Sequence, residues 1–143
     1  MPDNHRMLIY LVDNDSIIIK TLENFLSNLR HEVVSIKSAK LLDDLKKKPQ
    51  PDVIIMDLHI PEDRTIAQIR EVHKQYPATA IVLMTDNKPI LSTQEIISYG
   101  VYAYIRKPIH LYELELLLVR LSEYRAHRGE GTSELSEDGV KGK

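Results

Sequence analysis

The sequence predicts an α/β fold: a doubly wound, five-stranded parallel sheet with helices on both faces. Three observations lead there. Short apolar runs rich in Val and Ile, suited to strands buried on both faces, occupy residues 7–12, 32–36, 53–56, 80–84 and 101–105. Each is followed by a stretch with apolar residues at three- and four-residue spacing, the mark of a one-faced helix. Four of the five runs lead into a chemically capable residue: Asp13, Asp57, Thr85 and Lys107. Functional groups of a parallel sheet gather beyond the carboxyl ends of its strands, so these four predict a single site.

The elements follow in order. A helix is expected over residues 15–30, with Ile18, Leu22, Phe25, Leu26 and Leu29 on one face and Asp15 or Ser16 as its cap. Ser38 is placed to cap a second helix carrying Leu41, Leu42 and Leu45. Lys46, Lys47 and Lys48 suit the negative end of its dipole, and Pro49 and Pro51 stop it. The third helix spans residues 62–75 with Ile66, Ile69 and Val72 inward. The fourth, over residues 89–99, starts with Pro89 and ends at Gly100. The last covers residues 109–125 with Leu111, Leu114, Leu118 and Leu121 on one face. Residues 1–6 are polar and residues 126–143 are Gly-, Ser- and charge-rich, and they read as a disordered start and a disordered tail or linker around a domain at 7–125.

Composition excludes several classes. At 143 residues the chain can bury the core of one domain, and 43% apolar with 28% charged residues is ordinary for a soluble protein. A net charge of -2 gives no reason to expect nucleic-acid binding. The absence of cysteine excludes disulfides, thiol catalysis and cysteine zinc sites. No apolar run approaches the length of a membrane span, and the polar start lacks a signal-peptide core, so a cytoplasmic protein is the expectation. No Gly-rich turn follows the first strand, so nothing supports a dinucleotide site.

Four elements in sequence carry a resemblance: Leu11-Val12-Asp13; Val53-Ile54-Ile55-Met56-Asp57 with Pro61; Val82-Leu83-Met84-Thr85; and Tyr104-Ile105-Arg106-Lys107-Pro108. Together they resemble the receiver (phosphoacceptor) domain of two-component response regulators, over roughly residues 7–122. The resemblance implies a flavodoxin-like sheet and a regulatory rather than enzymatic domain. It implies Asp57 as the phosphoacceptor and Mg2+ as the cofactor. The metal would lie on Asp13, Asp57 and the backbone carbonyl of His59, with Asn14 as a weak ligand. A carboxylate attacking an anionic phosphoryl group is repelled by it, and a divalent cation offsets that repulsion. Lys107 suits a phosphoryl oxygen, Thr85 offers a hydroxyl that moves to meet it, and Tyr104 swings inward to remodel the face of the fourth helix, fifth strand and fifth helix. The implied partners are a histidine kinase or histidine phosphotransfer protein and an output domain or effector reached through that face, with room for a homodimer and no direct contact with nucleic acid or membrane.

The chain departs from the family pattern in places. The usual acid pair after the first strand is Asp13-Asn14 here, with Asp15 following, which predicts weaker Mg2+ binding. Asp86 replaces the small residue usual after the threonine, and Asn87 follows it; both, with Asp15, are candidate modulators. His31 stands where a glycine commonly turns the first helix into the second strand. Two other functions compete. One is a degenerate receiver that binds partners without phosphorylation. The other is a haloacid-dehalogenase-type phosphatase with Asp13 as nucleophile and Asp15 as acid/base, but its further acidic pair has no counterpart outside the tail, and it leaves Asp57 idle. Singly, Asp13 reads as a helix cap, Thr85 as an ordinary strand residue and Tyr104 as core; their joint order gives them weight.

Overall fold

The computed structural model describes residues 6–58, 62–85 and 92–129. Residues 7–109 form one compact unit with five strands and four helices, and the last helix belongs to a second unit. The elements are β1 (Leu8–Val12), α1 (Ser16–Asn28), β2 (Glu32–Ile36), α2 (Leu41–Lys47), β3 (Val53–Asp57), α3 (Glu62–Gln75), β4 (Ala80–Thr85), α4 (Thr93–Ser98), β5 (Ala103–Arg106) and α5 (Leu111–Gly129). The sheet is wholly parallel in the order β2-β1-β3-β4-β5. This is the expected flavodoxin-like sheet, and its direction of winding reverses between β1 and β3.

Register is fixed at the amino edge. Asp52 bridges its neighbours: its Oδ2 accepts from the Leu8 N–H (2.8 Å), its N–H donates to Leu8 O (2.8 Å), and its carbonyl accepts from Ala80 (3.0 Å). The Thr79 hydroxyl donates to Pro51 O (2.9 Å). A slip of one residue would turn every side chain of β3 to the wrong face, so this edge determines what reaches the other end. The residues of β3 are buried throughout, as a central parallel strand requires. Tyr10, Val12, Ile54, Met56, Ile81 and Leu83 point to one face and pack with Leu41, Leu45, Ile69, Val72 and Ile96 of α2, α3 and α4. The Tyr10 hydroxyl donates to Pro49 O. Burial first, and then Asp44 and Glu32, push its pKa above the ordinary 10, so it stays protonated as a donor.

Several elements differ from expectation. Asp15, not Ser16, caps α1. Ser38 caps nothing: a 3-10 turn, Ser38–Lys40, precedes α2, and the Ser38 carbonyl accepts from Gln68 of α3 (2.7 Å). The buried stripe of α3 is Thr65, Ile69 and Val72, with Ile66 only half-buried. Pro89 lies outside the described residues, and α4 starts at Thr93, with Ser92 in extended backbone (ψ 162°) as its N-cap. Ser92 and Glu95 form a capping box, a signal present in Ser-Thr-Gln-Glu but outweighed by the proline in the sequence reading. β5 starts at Ala103 rather than at 101. The final helix runs to Gly129, so helix occupies the first residues assigned to the tail; Ala126 and its flanking Arg125 and Arg128 are good helix formers, and glycine arrives only at 129.

Two turns carry positive φ. Gly100 (φ 100°) follows α4, and a Cβ there would lie 2.6 Å from Cγ of His73. Arg30 (φ 75°) ends α1 in a Schellman-like turn, with Arg30 N–H donating to Ser27 O (2.9 Å) and His31 N–H to Leu26 O (3.1 Å). The left-handed residue is therefore one earlier than the expected glycine position, and His31 instead accepts the Met7 N–H on Nδ1 (3.1 Å). The two sites should respond oppositely in chemical denaturation. Gly100→Ala is expected to lower stability by about 2 kcal/mol, and Arg30→Gly to raise it by up to about 1 kcal/mol. A neutral Gly100→Ala would refute the close approach to His73.

Candidate functional site

The carboxyl edge of the sheet collects the residues that the sequence singles out. Val12 pairs with Met56, so Asp13 and Asp57 leave β1 and β3 side by side, where the sheet reverses its winding. Asp57 pairs with Met84, which places Thr85 one step further on β4, and Thr85 pairs with Arg106, just before Lys107. Lys107 N–H donates to Thr85 O (2.7 Å), and Leu58 N–H to Met84 O (2.9 Å). The backbone thus carries β3, β4 and β5 past their last residues in register. The Lys107–Pro108 peptide is cis.

The side chains use this edge unequally. Asp57 is nearly buried, and its Oδ1 meets Nζ of Lys107 at 2.7 Å. Asp13 is 5% exposed; its Oδ1 accepts the Asp15 N–H (3.0 Å), and its buried Oδ2 has no hydrogen-bond partner among the described residues. Thr85 is fully buried, and its Oγ1 also has none among them. Asp15 turns away: its carboxylate accepts the N–H groups of Ile17 (2.9 Å) and Ile18 (3.4 Å) as the α1 cap. Asn14 is exposed. Tyr104 is half-buried and packs against the core cluster of α2, α3 and α4. His59, Pro61, Asp86 and Asn87 lie outside the described residues.

A buried carboxylate oxygen without a donor is costly unless a cation or proton compensates it. Asp13 Oδ2, at the end of the strand that adjoins the strand of Asp57, therefore fits a small hard cation. No cluster of three or more His, Cys, Asp or Glu among the described residues could hold a metal. Two carboxylates with neutral oxygens suit magnesium, which keeps several waters, better than a cation that demands a full protein cage. Thr85 Oγ1 and Lys107 Nζ supply a donor and a positive charge on the far side of Asp57, a setting suited to an anion bonded to that carboxylate.

Residues 9–118 match the family model of the response regulator receiver domain. The chain belongs to that family. Regulatory protein AtoC of Escherichia coli is 25% identical over 122 residues, covering 85% of this chain and 26% of its own length. The DNA-binding transcriptional regulator NtrC of Klebsiella pneumoniae is 24% identical, covering 84% and 26%. This receiver chain thus spans about a quarter of the length of these curated relatives. A receiver domain protein from Clostridium thermocellum shares the fold at a TM-score of 0.74, with 21% identity, covering 83% of this chain and 96% of that one. The signal receiver domain of an HD domain-containing protein from Pseudomonas fluorescens aligns at 0.72 with 26% identity, covering 90% and 95%. No helix among the described residues is long and apolar enough to cross a membrane.

The bare hydroxyl of Thr85 has a measurable consequence. Thr85→Val keeps the shape and removes a buried hydroxyl that has no partner among the described residues, so stability should rise by about 1 kcal/mol in urea unfolding. A fall of that size would mean that the hydroxyl is bonded in the folded protein.

Proposed function

We propose that this receiver domain is a phosphoacceptor in a two-component pathway, with Asp57 as the residue that is phosphorylated. The observation that carries the reading is the company of Asp57. One of its oxygens meets Lys107, and two unsatisfied buried oxygens, on Asp13 and Thr85, lie at the neighbouring strand ends. The donor is a histidine kinase or histidine phosphotransfer protein. An oxygen of Asp57 attacks the phosphorus of a phosphohistidine, the P–N bond breaks, and its electron pair returns to the imidazole. Lys107 shifts from the carboxylate to the new phosphoryl oxygens, and the Thr85 hydroxyl donates to one of them. Mg2+ on Asp13, Asp57 and the His59 carbonyl would offset the repulsion between the carboxylate and the incoming group.

The product bears on the partner. Once Thr85 is drawn to the phosphoryl group, Tyr104 on the adjacent strand moves further into its half-buried position and alters the surface that α4 and β5 present to an output domain or effector. A specific observation, the neutral and exposed Asn14, supports a second reading, a degenerate receiver that works by binding alone. The phosphatase reading loses its acid/base, because Asp15 is engaged as the α1 cap.

Intact-mass analysis with a small phosphodonor and excess Mg2+ separates these. Wild type should gain one labile phosphoryl group and Asp57→Asn none. No adduct on folded wild type would sink the phosphoacceptor reading and leave the degenerate one. Titration calorimetry tests the metal separately. Asn14→Asp should tighten Mg2+ about tenfold, the effect of roughly 1.4 kcal/mol, whereas Asp15→Asn, still a competent cap, should leave affinity unchanged. Loss of binding in Asp15→Asn would instead make Asp15 a ligand.

A further inference from the structure

His31 is a departure from the family pattern that the phosphoacceptor site does not use. Its backbone is pinned, since its N–H closes the turn after α1 on Leu26 O (3.1 Å). Its ring reaches back to the start of the sheet, where Nδ1 accepts the Met7 N–H (3.1 Å). Met7 is the buried residue just before β1, and its carbonyl accepts the Glu32 N–H (3.0 Å) at the head of β2. His31 and Glu32 thus hold both polar groups of the Met7 backbone. An imidazole nitrogen accepts only through its lone pair, so this bond needs a neutral ring with its proton on Nε2.

We propose that His31 is a proton-sensitive fastener of the first strand: the neutral ring holds the Met7 N–H, and the protonated ring releases it. A proton on Nδ1 occupies the lone pair and sets one N–H against another. The released backbone donor then sits unpaired beside a buried side chain, which costs stability. The ring itself is half-buried, within reach of solvent protons. Charges around the turn do not reverse the effect. Among the described residues, Arg30 next to His31 and Arg6 next to Met7 oppose a cation there, while Glu32 and Asp52 favour one. Arg6, Arg30 and Glu32 are exposed and screened by solvent. Asp52, before β3, already accepts the Leu8 N–H on its carboxylate (2.8 Å). The signs offset, so the lost hydrogen bond decides. The unfolded chain, whose imidazoles titrate near about 6.5, then binds the His31 proton more readily than the folded chain. The stabilisation is full above that range and is lost as the pH falls below it. His31 lies at the amino edge of the sheet, opposite Asp57, so this device stands or falls apart from the phosphoacceptor chemistry.

Urea unfolding of the full chain at about pH 7.5 and about pH 5, on wild type and His31→Asn, tests it. Asparagine offers an amide oxygen close to the place of Nδ1 and does not titrate. Every other titrating group is common to the two proteins, so the difference between their pH profiles isolates the ring. On acidification the folding equilibrium constant of wild type should fall about fivefold further than that of His31→Asn. Proton titration of the histidine rings by NMR gives an answer that needs no variant: His31 should take up its proton at lower pH in the folded chain than in the urea-unfolded one. Two results overturn the proposal: parallel pH profiles for wild type and His31→Asn, or a folded His31 that protonates at the same pH as the unfolded one or higher.

Discussion

The 2.7 Å contact between Lys107 and Asp57 is the interaction on which the site depends. Parallel strands of matched register deliver two carboxylates, Asp13 and Asp57, side by side into a nearly dry edge. Burying one carboxylate is costly and burying two adjacent ones more so. Lys107 compensates Asp57. Asp13 is left with one oxygen bonded to a backbone N–H and one bonded to nothing among the described residues. Thr85 adds a second unsatisfied oxygen. Natural proteins break the rules of polar satisfaction chiefly where function requires it, and three adjacent strand ends here contain both exceptions.

Three acidic or amide positions in a row do different work because the chain turns a corner there. Asp13 still follows the strand and points into the edge, Asn14 is exposed at the bend, and Asp15 has already begun α1 as its cap. Capping is not separate from the site. The Asp15 N–H holds Asp13 Oδ1, which leaves Oδ2 as the oxygen without a partner among the described residues. The helix start thereby orients the carboxylate, and a cap that also carries charge near a helix N-terminus reinforces the turn.

Much of this was legible in the sequence because the signals were redundant. β2 and α3 fall on the expected residues, and β1, β3 and β4 within a residue of them, because Val- and Ile-rich runs bounded by polar turns have few alternatives. Site membership followed from topology alone, since a parallel sheet sends every strand's end to one edge. What sequence could not supply was direction and pairing. Asp15 and Ser16 are equally good caps on paper, and only the backbone turn at Asp13 selects the first. Ser38 looked like a cap, yet Gln68, thirty residues away, claims its backbone carbonyl. Arg30 in a left-handed turn contradicts local preference and is outweighed by burial of the helix it terminates. The Lys107–Asp57 pair has no local signal, because the two residues meet only when β3 and β5 flank β4.

The same reasoning separates firmly held elements from loosely held ones. α3 contributes three buried residues to the core, whereas α4, six residues long, has Ile96 as its buried side chain and leaves Ile97 exposed. A helix this short is not stable by itself, so its position rests on its ends. The Ser92–Glu95 box closes the first end. At the other, Arg70 of α3 lies 4.8 Å from the centre of the Tyr99 ring, and Gly100 seats against His73. Cation–π contacts at partly exposed sites contribute only about 0.5–1 kcal/mol, little beside the burial that holds β3 and β4. Elements with few buried contacts open and shift at low cost. α4, which follows β4 in the chain, is thus held by little packing, and β4 ends on Thr85, whose hydroxyl has no partner among the described residues. A small change of bonding at Thr85 acts on a part of the fold that a small free energy can move.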